Sequence, residues 1–312
     1  MRWPGKLEHA FAAAVLMVLS AAASLWHVQA IAVEPAAALH AKYDSLRNAL
    51  LDTGFRRPIH IDSRVRDGSA SGDVYAVVDY PFAMATAALA TAPNWCDVLI
   101  LHFNVKFCQV GVNGNSPVLD VRIGRKFDQP LRKTYQVNFT FREISRSPQF
   151  LHVQLGSAEG PLNTSNYRIV LQAAPVTGGR TFIQLSYAYD FGTASELAMK
   201  AYLATLGRKK VGFSVEGEET DGQPRYVDGM RGAIERNAMR YYLAIEAYLG
   251  ALSVPSPQQV DRRLSDWFDA SERYPLQLRE MEREEYLEMK RREIVRQQSA
   301  MLTSLPPVAG RQ

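Results

Sequence analysis

The sequence predicts an α+β fold in which a meander of antiparallel strands is followed by one long helix. Between residues 98 and 191, apolar and polar side chains alternate with a period of two, which is typical of half-buried strands. The turns between these strands are short and polar, so neighbouring strands are expected to pair antiparallel. Residues 228–252 then carry apolar side chains at helical spacing. At about 1.5 Å per residue this helix would run roughly 35 Å across a curved sheet.

The N-terminus predicts a signal peptide over residues 1–30. Arg2 and Lys6 precede an apolar run over residues 10–23, and Val28-Gln29-Ala30 supplies the small-residue pattern of a cleavage site. The run is shorter than the roughly 20 residues of a membrane-spanning helix. We therefore expect cleavage and export, to the periplasm or out of the cell. An uncleaved N-terminal anchor is the alternative.

Short elements are expected before the meander. Residues 35–53 are predicted to form a helix, because Leu39, Tyr43, Leu46 and Leu50 fall on one face. The elements expected next are a strand over 57–65, a loop over 66–72, a strand over 73–80, a helix that begins at Pro81 and a short helix or turn over 93–96.

The strands of the meander follow in order, and helices come after them. The strands are expected within 98–107, 118–127, 134–144, 149–156, 167–176 and 180–191, the last two joined by a Thr177-Gly178-Gly179 turn. Helices are expected over 194–207 and 228–252, and the charged tail should form two helices interrupted by Pro275. The predicted segments are a signal peptide (1–30), an N-terminal helical extension (31–56), the sheet-and-helix domain (57–254), a charged helical tail (255–301) and a disordered end (302–312).

The only two cysteines, Cys96 and Cys108, are predicted to form a structural disulfide, since exported thiols meet an oxidising space. A straight strand between them would separate their ends by about 40 Å, whereas a disulfide allows at most about 7 Å between Cα atoms. The chain must therefore turn back, either near residues 102–104 or because Cys96 closes a helix that folds over the strand carrying Cys108. Two buried free thiols are the alternative.

Composition and motifs argue against several classes of function. The formal net charge is +4, and basic residues are interleaved with acidic ones, so we expect no nucleic-acid partner. The chain contains no HExxH, GxSxG or P-loop motif and no zinc-ligand spacing, so we expect no metal and no cofactor. His102 and His152 are predicted on strand faces with polar neighbours, a setting more typical of solvated than of catalytic histidines. No catalytic residue is therefore predicted, and whether the protein is an enzyme stays open.

The order of elements resembles the helix-grip fold of the START-like (SRPBCC), polyketide-cyclase and birch-allergen superfamily. The resemblance covers residues 73–252, and the blocks NWCD, NYRIVLQAAP, GGRTFIQLSYAY, AYLATLGRKKVGF and MRYYLAIEAYL are similar to those of exported bacterial proteins of unassigned role. It implies a curved sheet wrapped around the long helix, with a cavity between them that holds a sterol, phospholipid, polyketide or other apolar ligand.

The inward faces of the strands and of the long helix supply the candidate lining of this cavity. These residues are Tyr135, Val137, Phe139, Phe141, Ile169, Leu171, Ile183, Leu185, Tyr187, Ile234, Tyr241 and Ile245. A solidly packed core with no cavity is the alternative. The cations at 208–210 form either a solvated loop or a collar for an anionic headgroup.

The first functional hypothesis is an exported protein that binds a lipid or other hydrophobic molecule without catalysis, for carriage or sensing. One alternative is an aromatase/cyclase-like enzyme that uses the same cavity. Another is an envelope interaction protein that acts through its helical tail. The expected partner is a hydrophobic small molecule or lipid; a peripheral membrane contact is left open, and the sequence does not predict the oligomeric state.

Overall fold

The computed structural model describes residues 35–205 and 210–304. The predicted signal peptide and residues 305–312 lie outside the described residues. The strands are β1 (Ile59–Arg66), β2 (Ser69–Val78), β3 (Val105–Asn113), β4 (Ser116–Ile123), β5 (Tyr135–Ser147), β6 (Phe150–Glu159), β7 (Thr164–Val176), β8 (Arg180–Phe191), β9 (Val215–Glu218) and β10 (Pro224–Tyr226). The helices are α1 (Pro35–Leu51), α2 (Phe82–Leu89), α3 (Ala92–Leu99), α4 (Thr193–Thr205), α5 (Gly229–Ala251), α6 (Ser256–Glu272), α7 (Pro275–Leu278) and α8 (Arg283–Ser304).

Eight strands form one antiparallel sheet in the order β1-β2-β8-β7-β6-β5-β4-β3, and β9 and β10 pair separately. Strands β3 to β8 are the predicted meander, and β2 joins it by pairing with β8. The register shifts between Glu143 and Ser145 and again between Ser165 and Arg168. Such bulges bend strands and increase their twist, which helps the sheet to curve. The predicted α+β class and antiparallel pairing are confirmed.

Helix α5 lies on the concave face of the sheet, against β1, β2 and β8. It approaches β2 closely at Gly72, where an added Cβ would stand 3.3 Å from the main-chain oxygen of Ile234. A glycine on β2 therefore allows the helix to lie directly on the strand. The polar residues Glu235, Arg236 and Arg240 of α5 are also buried. Glu235 accepts from the Phe213 N–H at 2.6 Å, Arg236 donates to the Val211 carbonyl at 3.1 Å, and Arg240 pairs with Glu280 at 2.6 Å.

The chain crosses the concave face between β2 and β3 through α2 and α3. Helix α2 contacts β7 and β8, and α3 contacts β3 and β4, so both close one end of the interior. The Cα atoms of Cys96 on α3 and Cys108 on β3 lie 5.2 Å apart in a disulfide. The predicted disulfide is confirmed, and it uses the second of the two geometries, a helix that folds over a strand.

Three predicted boundaries were wrong. Residues 98–104 belong to the end of α3 and a turn, because an apolar run can be a buried helix as readily as a strand. The expected 66–72 loop is a tight turn at Asp67 and Gly68, both with positive φ, and β2 already begins at Ser69. The tail beyond Pro255 forms three helices rather than two.

The convex face of the sheet is covered in part by α1. Its predicted apolar side chains pack on an outward-facing patch of the sheet, made of Tyr75, Val77, Phe150, Ala174 and Phe182. The rings of Tyr43 and Phe182 have centroids 5.0 Å apart. None of the helices within the described residues combines the length and hydropathy needed to cross a bilayer.

The tail helices α6 and α8 pack on the main sheet and on α5 through aromatic residues. Trp267 donates its indole N–H to the carbonyl oxygen of Arg240 at 3.0 Å. The Trp267 ring stacks on that of Tyr286, with centroids 5.0 Å apart, and both contact Phe103. Residues 256–304 thus complete the cover over α5; the domain boundary at residue 254 stays a prediction.

Candidate ligand-binding site

The predicted lining residues are placed in two environments. Tyr135 is 49% exposed, because it is the first residue of β5 and stands where the sheet ends. The other lining residues are buried between the sheet and α5. These are Val137, Phe139, Phe141, Ile169, Leu171, Ile183, Leu185, Tyr187, Ile234, Tyr241 and Ile245.

The interior is covered from solvent more completely at one end than at the other. At the closed end, under α2 and α3, Leu171, Ile183 and Ile245 are each 0% exposed. The open end is where β8 finishes and α5 begins. There Tyr187 and Tyr241 each keep 7% of their surface accessible. Other residues near this end with 6–9% accessible surface are Tyr167, Tyr189, Phe191 and Met230. The side chains at the open end are therefore covered less completely than those at the closed end, although Ile234 near them is 0% exposed.

Four tyrosines form a cluster at the open end, called here the tyrosine cluster: Tyr167, Tyr187, Tyr189 and Tyr241. Ring centroids are 5.2 Å apart for Tyr167 and Tyr189 and 5.3 Å apart for Tyr187 and Tyr241. Thr164 donates its hydroxyl to the Tyr167 oxygen at 3.0 Å. Burial raises the pKa of Tyr187 well above its ordinary value, and that of Tyr241 also rises. The phenols therefore stay protonated and can donate hydrogen bonds to a bound molecule.

His102 lies beneath this cluster and not on a strand face, so that prediction was wrong. It follows α3 in the turn before β3, and its ring stacks on Tyr241 with centroids 4.9 Å apart. The main-chain N–H of Asn104 donates to its Nδ1 at 3.1 Å, which assigns the ring proton to Nε2. Burial, assisted by Arg240 and Lys290, holds the pKa of His102 well below its ordinary value, so the ring is neutral.

His152 lies elsewhere, on the outward face of β6 between the inward-facing Leu151 and Val153. It is half-buried, and its ring is near that of Phe150, with centroids 6.3 Å apart. Burial lowers its pKa. It therefore does not share a site with the tyrosine cluster.

A second feature opens at the same end of the sheet, a hollow of about 1100 Å³ that we call the sheet-end groove. Its walls are the loop after β4 and the turn before β7. It is lined by Asn104, Ile123, Gly124, Arg125, Lys126, Phe127, Gln129, Arg132, Lys133, Thr134, Tyr135, Pro161 and Leu162. Ile123 also packs against the main core. Of the predicted lining residues, Tyr135 is the one that contributes to this groove.

Local contacts hold both walls of the groove. The buried side chain of Gln129 accepts from the Arg125 N–H at 3.2 Å and donates to the Lys133 carbonyl at 3.1 Å, which ties the two ends of the loop together. In the opposite wall Leu162 has φ +57° and is 58% exposed. The hydroxyl of Ser195 on α4 donates to the Leu162 carbonyl at 2.9 Å. This bond supports a backbone conformation that non-glycine residues rarely adopt.

Asn104 connects the groove to the tyrosine cluster. Its side chain donates to the Gly124 carbonyl at 2.6 Å in the groove wall, while its backbone binds His102, the neighbour of Tyr241. On the other wall, the turn that carries Leu162 leads directly to Thr164, which binds Tyr167. The groove and the open end of the interior are therefore adjacent.

Sequence reasoning missed several of these residues. Tyr167 falls on the inward face of β7 by alternation, and the pattern could have included it. The cations of the groove lie in a loop with no periodic signal, so only their charge could have drawn attention. Of the cations at 208–210, only Lys210 is described, and it donates to the Arg279 carbonyl. In the described part of the chain, no three His, Cys, Asp or Glu residues are grouped as metal ligands would be.

The order of elements defines the class of fold. A strand pair, two short helices, an antiparallel meander and a long helix held on the concave face make this a helix-grip fold of the START-like kind. No protein-family model matches the chain, and a comparison with curated proteins finds no match.

Solved structures give similarities at low identity. Human StAR-related lipid transfer protein 5 is 11% identical, with 55% of this chain and 88% of that chain covered and a TM-score of 0.30. Human STARD10 is 12% identical, with 54% and 76% covered and a TM-score of 0.28. A protein from Arthrobacter aurescens is 15% identical, with 63% and 92% covered and a TM-score of 0.31. At these scores the matches carry no argument about function, which must come from the site itself.

Proposed function

We propose that this protein binds a lipid or other hydrophobic molecule between the open end of the sheet and α5. The observation that carries the proposal is the accessible surface kept by inward-facing residues at that end. Ala233 and Asn237 lie eight and four residues before Tyr241, on the same face of α5, and both are partly exposed although the helix around them is buried. We infer that the space in front of this helix face is incompletely filled.

Both the shape and the chemistry of this space suit an apolar ligand. Moving apolar ligand surface out of water stabilises the complex by roughly 25 cal/mol per Å². The protonated phenols of the tyrosine cluster add a few directed hydrogen bonds, which is the usual division of roles in a small-molecule site. Ring faces such as that of Tyr187 supply apolar contact in the same place.

We further propose that the protein binds its ligand without transforming it. General acid–base catalysis works best when the pKa of the catalytic group lies near the working pH. The pKa of Tyr187 is raised and the pKa of His102 is lowered, so both pKa values move away from pH 7, in opposite directions. Both are suited to fixed hydrogen bonds rather than to repeated proton exchange. Carriage and sensing are the two roles that such a site supports.

Export is part of the proposal. The N-terminal signal pattern supports it, and so does the disulfide between Cys96 and Cys108, because disulfides persist mainly in oxidising compartments. Fractionation of cells that express the full-length chain should place the protein outside the cytoplasm. Neither cysteine of that protein should react with an alkylating reagent until the disulfide has been reduced. Two free thiols in protein exported by its own signal would contradict this.

The binding proposal is tested by filling the proposed space. Native mass spectrometry of the purified protein, followed by organic extraction, should identify a co-purified lipid, and an apolar fluorescent probe should be taken up. The variant Ala233→Phe places a ring at the open end and should reduce probe uptake by roughly tenfold or more, the loss expected when a ligand-sized space is blocked.

The matched control is Ala41→Phe on the exposed side of α1, which should bind the probe as the wild type does. Thermal unfolding of both variants separates blocking from misfolding. Unchanged uptake by folded Ala233→Phe, together with no co-purified lipid, would remove the binding proposal.

A further inference from the structure

The sheet-end groove differs from the other described hollows in the sign of its charges. Its lining contains Arg125, Lys126, Arg132 and Lys133 and, among the described residues, no Asp or Glu. The hollow beside Tyr80 is lined by both signs of charge, and so is the hollow beside Tyr226. An all-cationic lining in one concave place favours an anion.

Three of the four cations are available to a ligand. Lys126 is paired with Glu280, with its Nζ 2.6 Å from a carboxylate oxygen. Arg125, Arg132 and Lys133 are exposed and form no ion pair within residues 35–205 and 210–304. The nearby Asp128 is directed to α8, where it pairs with Arg292 and Arg296. The local charge in the groove is therefore left uncompensated by the protein.

The groove also has apolar lining residues, among them Ile123, which lies on the side of the interior. Ile123 and Tyr135 are cross-strand partners at the ends of β4 and β5, and Ile123 packs against the core. Phe127 is 52% exposed at the rim, where the Arg125 guanidinium lies 5.8 Å from its ring centroid. The groove thus combines an apolar floor with a cationic rim, and Asn104 joins it to the tyrosine cluster.

We propose that this groove binds the anionic headgroup, a carboxylate or phosphate, of an amphipathic ligand whose apolar chain enters the loosely filled interior. Arg132 and Lys133 contact the headgroup from the short turn that precedes β5, and Arg125 contacts it from the facing part of the loop. Guanidinium and ammonium groups form charge-assisted hydrogen bonds to these anions, about twice as strong as neutral ones. The inference rests on the proposed function and narrows its ligand class to acidic amphiphiles.

The test compares probes that share a chain and differ in the headgroup. Palmitate, hexadecyl phosphate and hexadecanol would each displace an apolar fluorescent probe from the full-length protein below their critical micelle concentrations, and inorganic phosphate would be titrated alone. We expect the two anionic amphiphiles to bind more tightly than hexadecanol. Added salt should weaken the binding of the two anionic amphiphiles, since exposed charges are screened, and should leave the binding of hexadecanol unchanged.

Two double variants are compared. One removes two cations just before β5, at the groove, and the other removes two cations on β5 itself. Arg132→Ala/Lys133→Ala should lower the affinity for palmitate and for hexadecyl phosphate by roughly tenfold or more, the loss expected for two charge-assisted contacts. The affinity for hexadecanol should not change. Arg142→Ala/Arg146→Ala is the matched control, because both arginines are exposed on β5 away from the groove. It should bind every probe as the wild type does. Arg125→Ala should also lower the affinity for the anionic amphiphiles, which tests the site at a second position.

The outcomes separate this inference from the proposed function. If Arg132→Ala/Lys133→Ala binds the anionic amphiphiles as tightly as the wild type while hexadecanol still competes, the headgroup site is overturned and hydrophobic binding stands. If inorganic phosphate binds and no amphiphile does, the groove is an anion site without an apolar ligand, and the inference is again overturned. If neither hexadecanol nor the anions displace the probe, the proposed function itself fails.

Discussion

Tyr187 of β8 and Tyr241 of α5 face each other across the interior, with ring centroids 5.3 Å apart. They are the point at which the open end of the sheet meets the long helix. Both are largely buried, yet each retains some accessible surface, while Leu185, two residues before Tyr187, retains none. The change from full to partial cover therefore occurs over two residues of β8.

Replacing Tyr241 with alanine should destabilise the fold. The ring packs on both Tyr187 and His102, and loss of a large buried aromatic side chain costs about 3–5 kcal/mol. Because the site is already loosely filled, we expect the lower part of that range in urea unfolding. Tyr135→Ala is the control, since that tyrosine is half-exposed, and its free energy of unfolding should change by less than about 1 kcal/mol. Equal losses in the two variants would show that Tyr241 is not part of a packed interface.

The buried ion network between β3 and α8 should be sensitive to loss of its one carboxylate. Glu293 pairs with Lys106 at 3.0 Å and with Lys290 at 2.5 Å, and all three side chains are 0% exposed. Glu293→Gln leaves two buried cations uncompensated and should lower the free energy of unfolding by about 3–5 kcal/mol. Lys290→Met leaves a balanced pair and should cost less, as measured by denaturant unfolding at pH 7. A larger loss in Lys290→Met than in Glu293→Gln would contradict this account.

The same network predicts a pH dependence of stability. Burial lowers the pKa of Lys290 from 10.5 to about 8, although Glu293 opposes the shift. Between these values the unfolded chain holds a proton that the folded protein has released, so the free energy of unfolding rises with pH. Below pH 8 both states are protonated, and the cost of burying the charge is fully present.

Lys290→Met isolates this contribution. Between about pH 8 and pH 9.5 the free energy of unfolding of the wild type should rise relative to that of the variant. This range lies below the pH at which the tyrosines of the unfolded chain titrate. Guanidinium unfolding at half-unit steps of pH measures it. A difference that does not vary with pH would mean that Lys290 keeps its proton in the folded protein.

Reduction of the disulfide should weaken the closed end of the interior. Cys96 and Cys108 are 12 residues apart, and closing a loop of this size stabilises a fold by about 3 kcal/mol. Cys96→Ser/Cys108→Ser should therefore lower the free energy of unfolding by about 2–4 kcal/mol. Reductant should reproduce this loss in the wild type and have no effect on the double variant. A wild type that is indifferent to reductant would show that the bridge adds nothing to stability.

Local patterns predicted much of the fold because each element has its own period. Alternation placed Val137 and Phe139 on the inward face of β5, and both are buried there. Three- and four-residue spacing placed Leu39 and Leu46 on one side of α1. The prediction went wrong at residues 98–104, where an unbroken apolar run carries no period that distinguishes a buried helix from a buried strand.

The candidate site was predicted less completely, since it depends on contacts between distant segments. Tyr135 obeys the same alternation as Val137 but lies where the covering elements end, so it is exposed and lines the groove instead. Arg132 and Leu162 reach one hollow from opposite walls, and no spacing in the chain brings them together.

By itself the sequence determined most of the elements, their order and the faces they bury, and it favoured a disulfide between the two cysteines, because period, turn residues and thiol count can be read from the chain without its fold. The tertiary structure alone decided that residues 211–214 and Glu280 bury the polar residues of α5, that Tyr187 and Tyr241 keep some accessible surface while the side chains under α2 and α3 keep none, and that a cationic groove opens at the same end of the sheet. Those outcomes depend on which distant elements cover each face, and burial, unlike periodicity, is a property of the assembled whole.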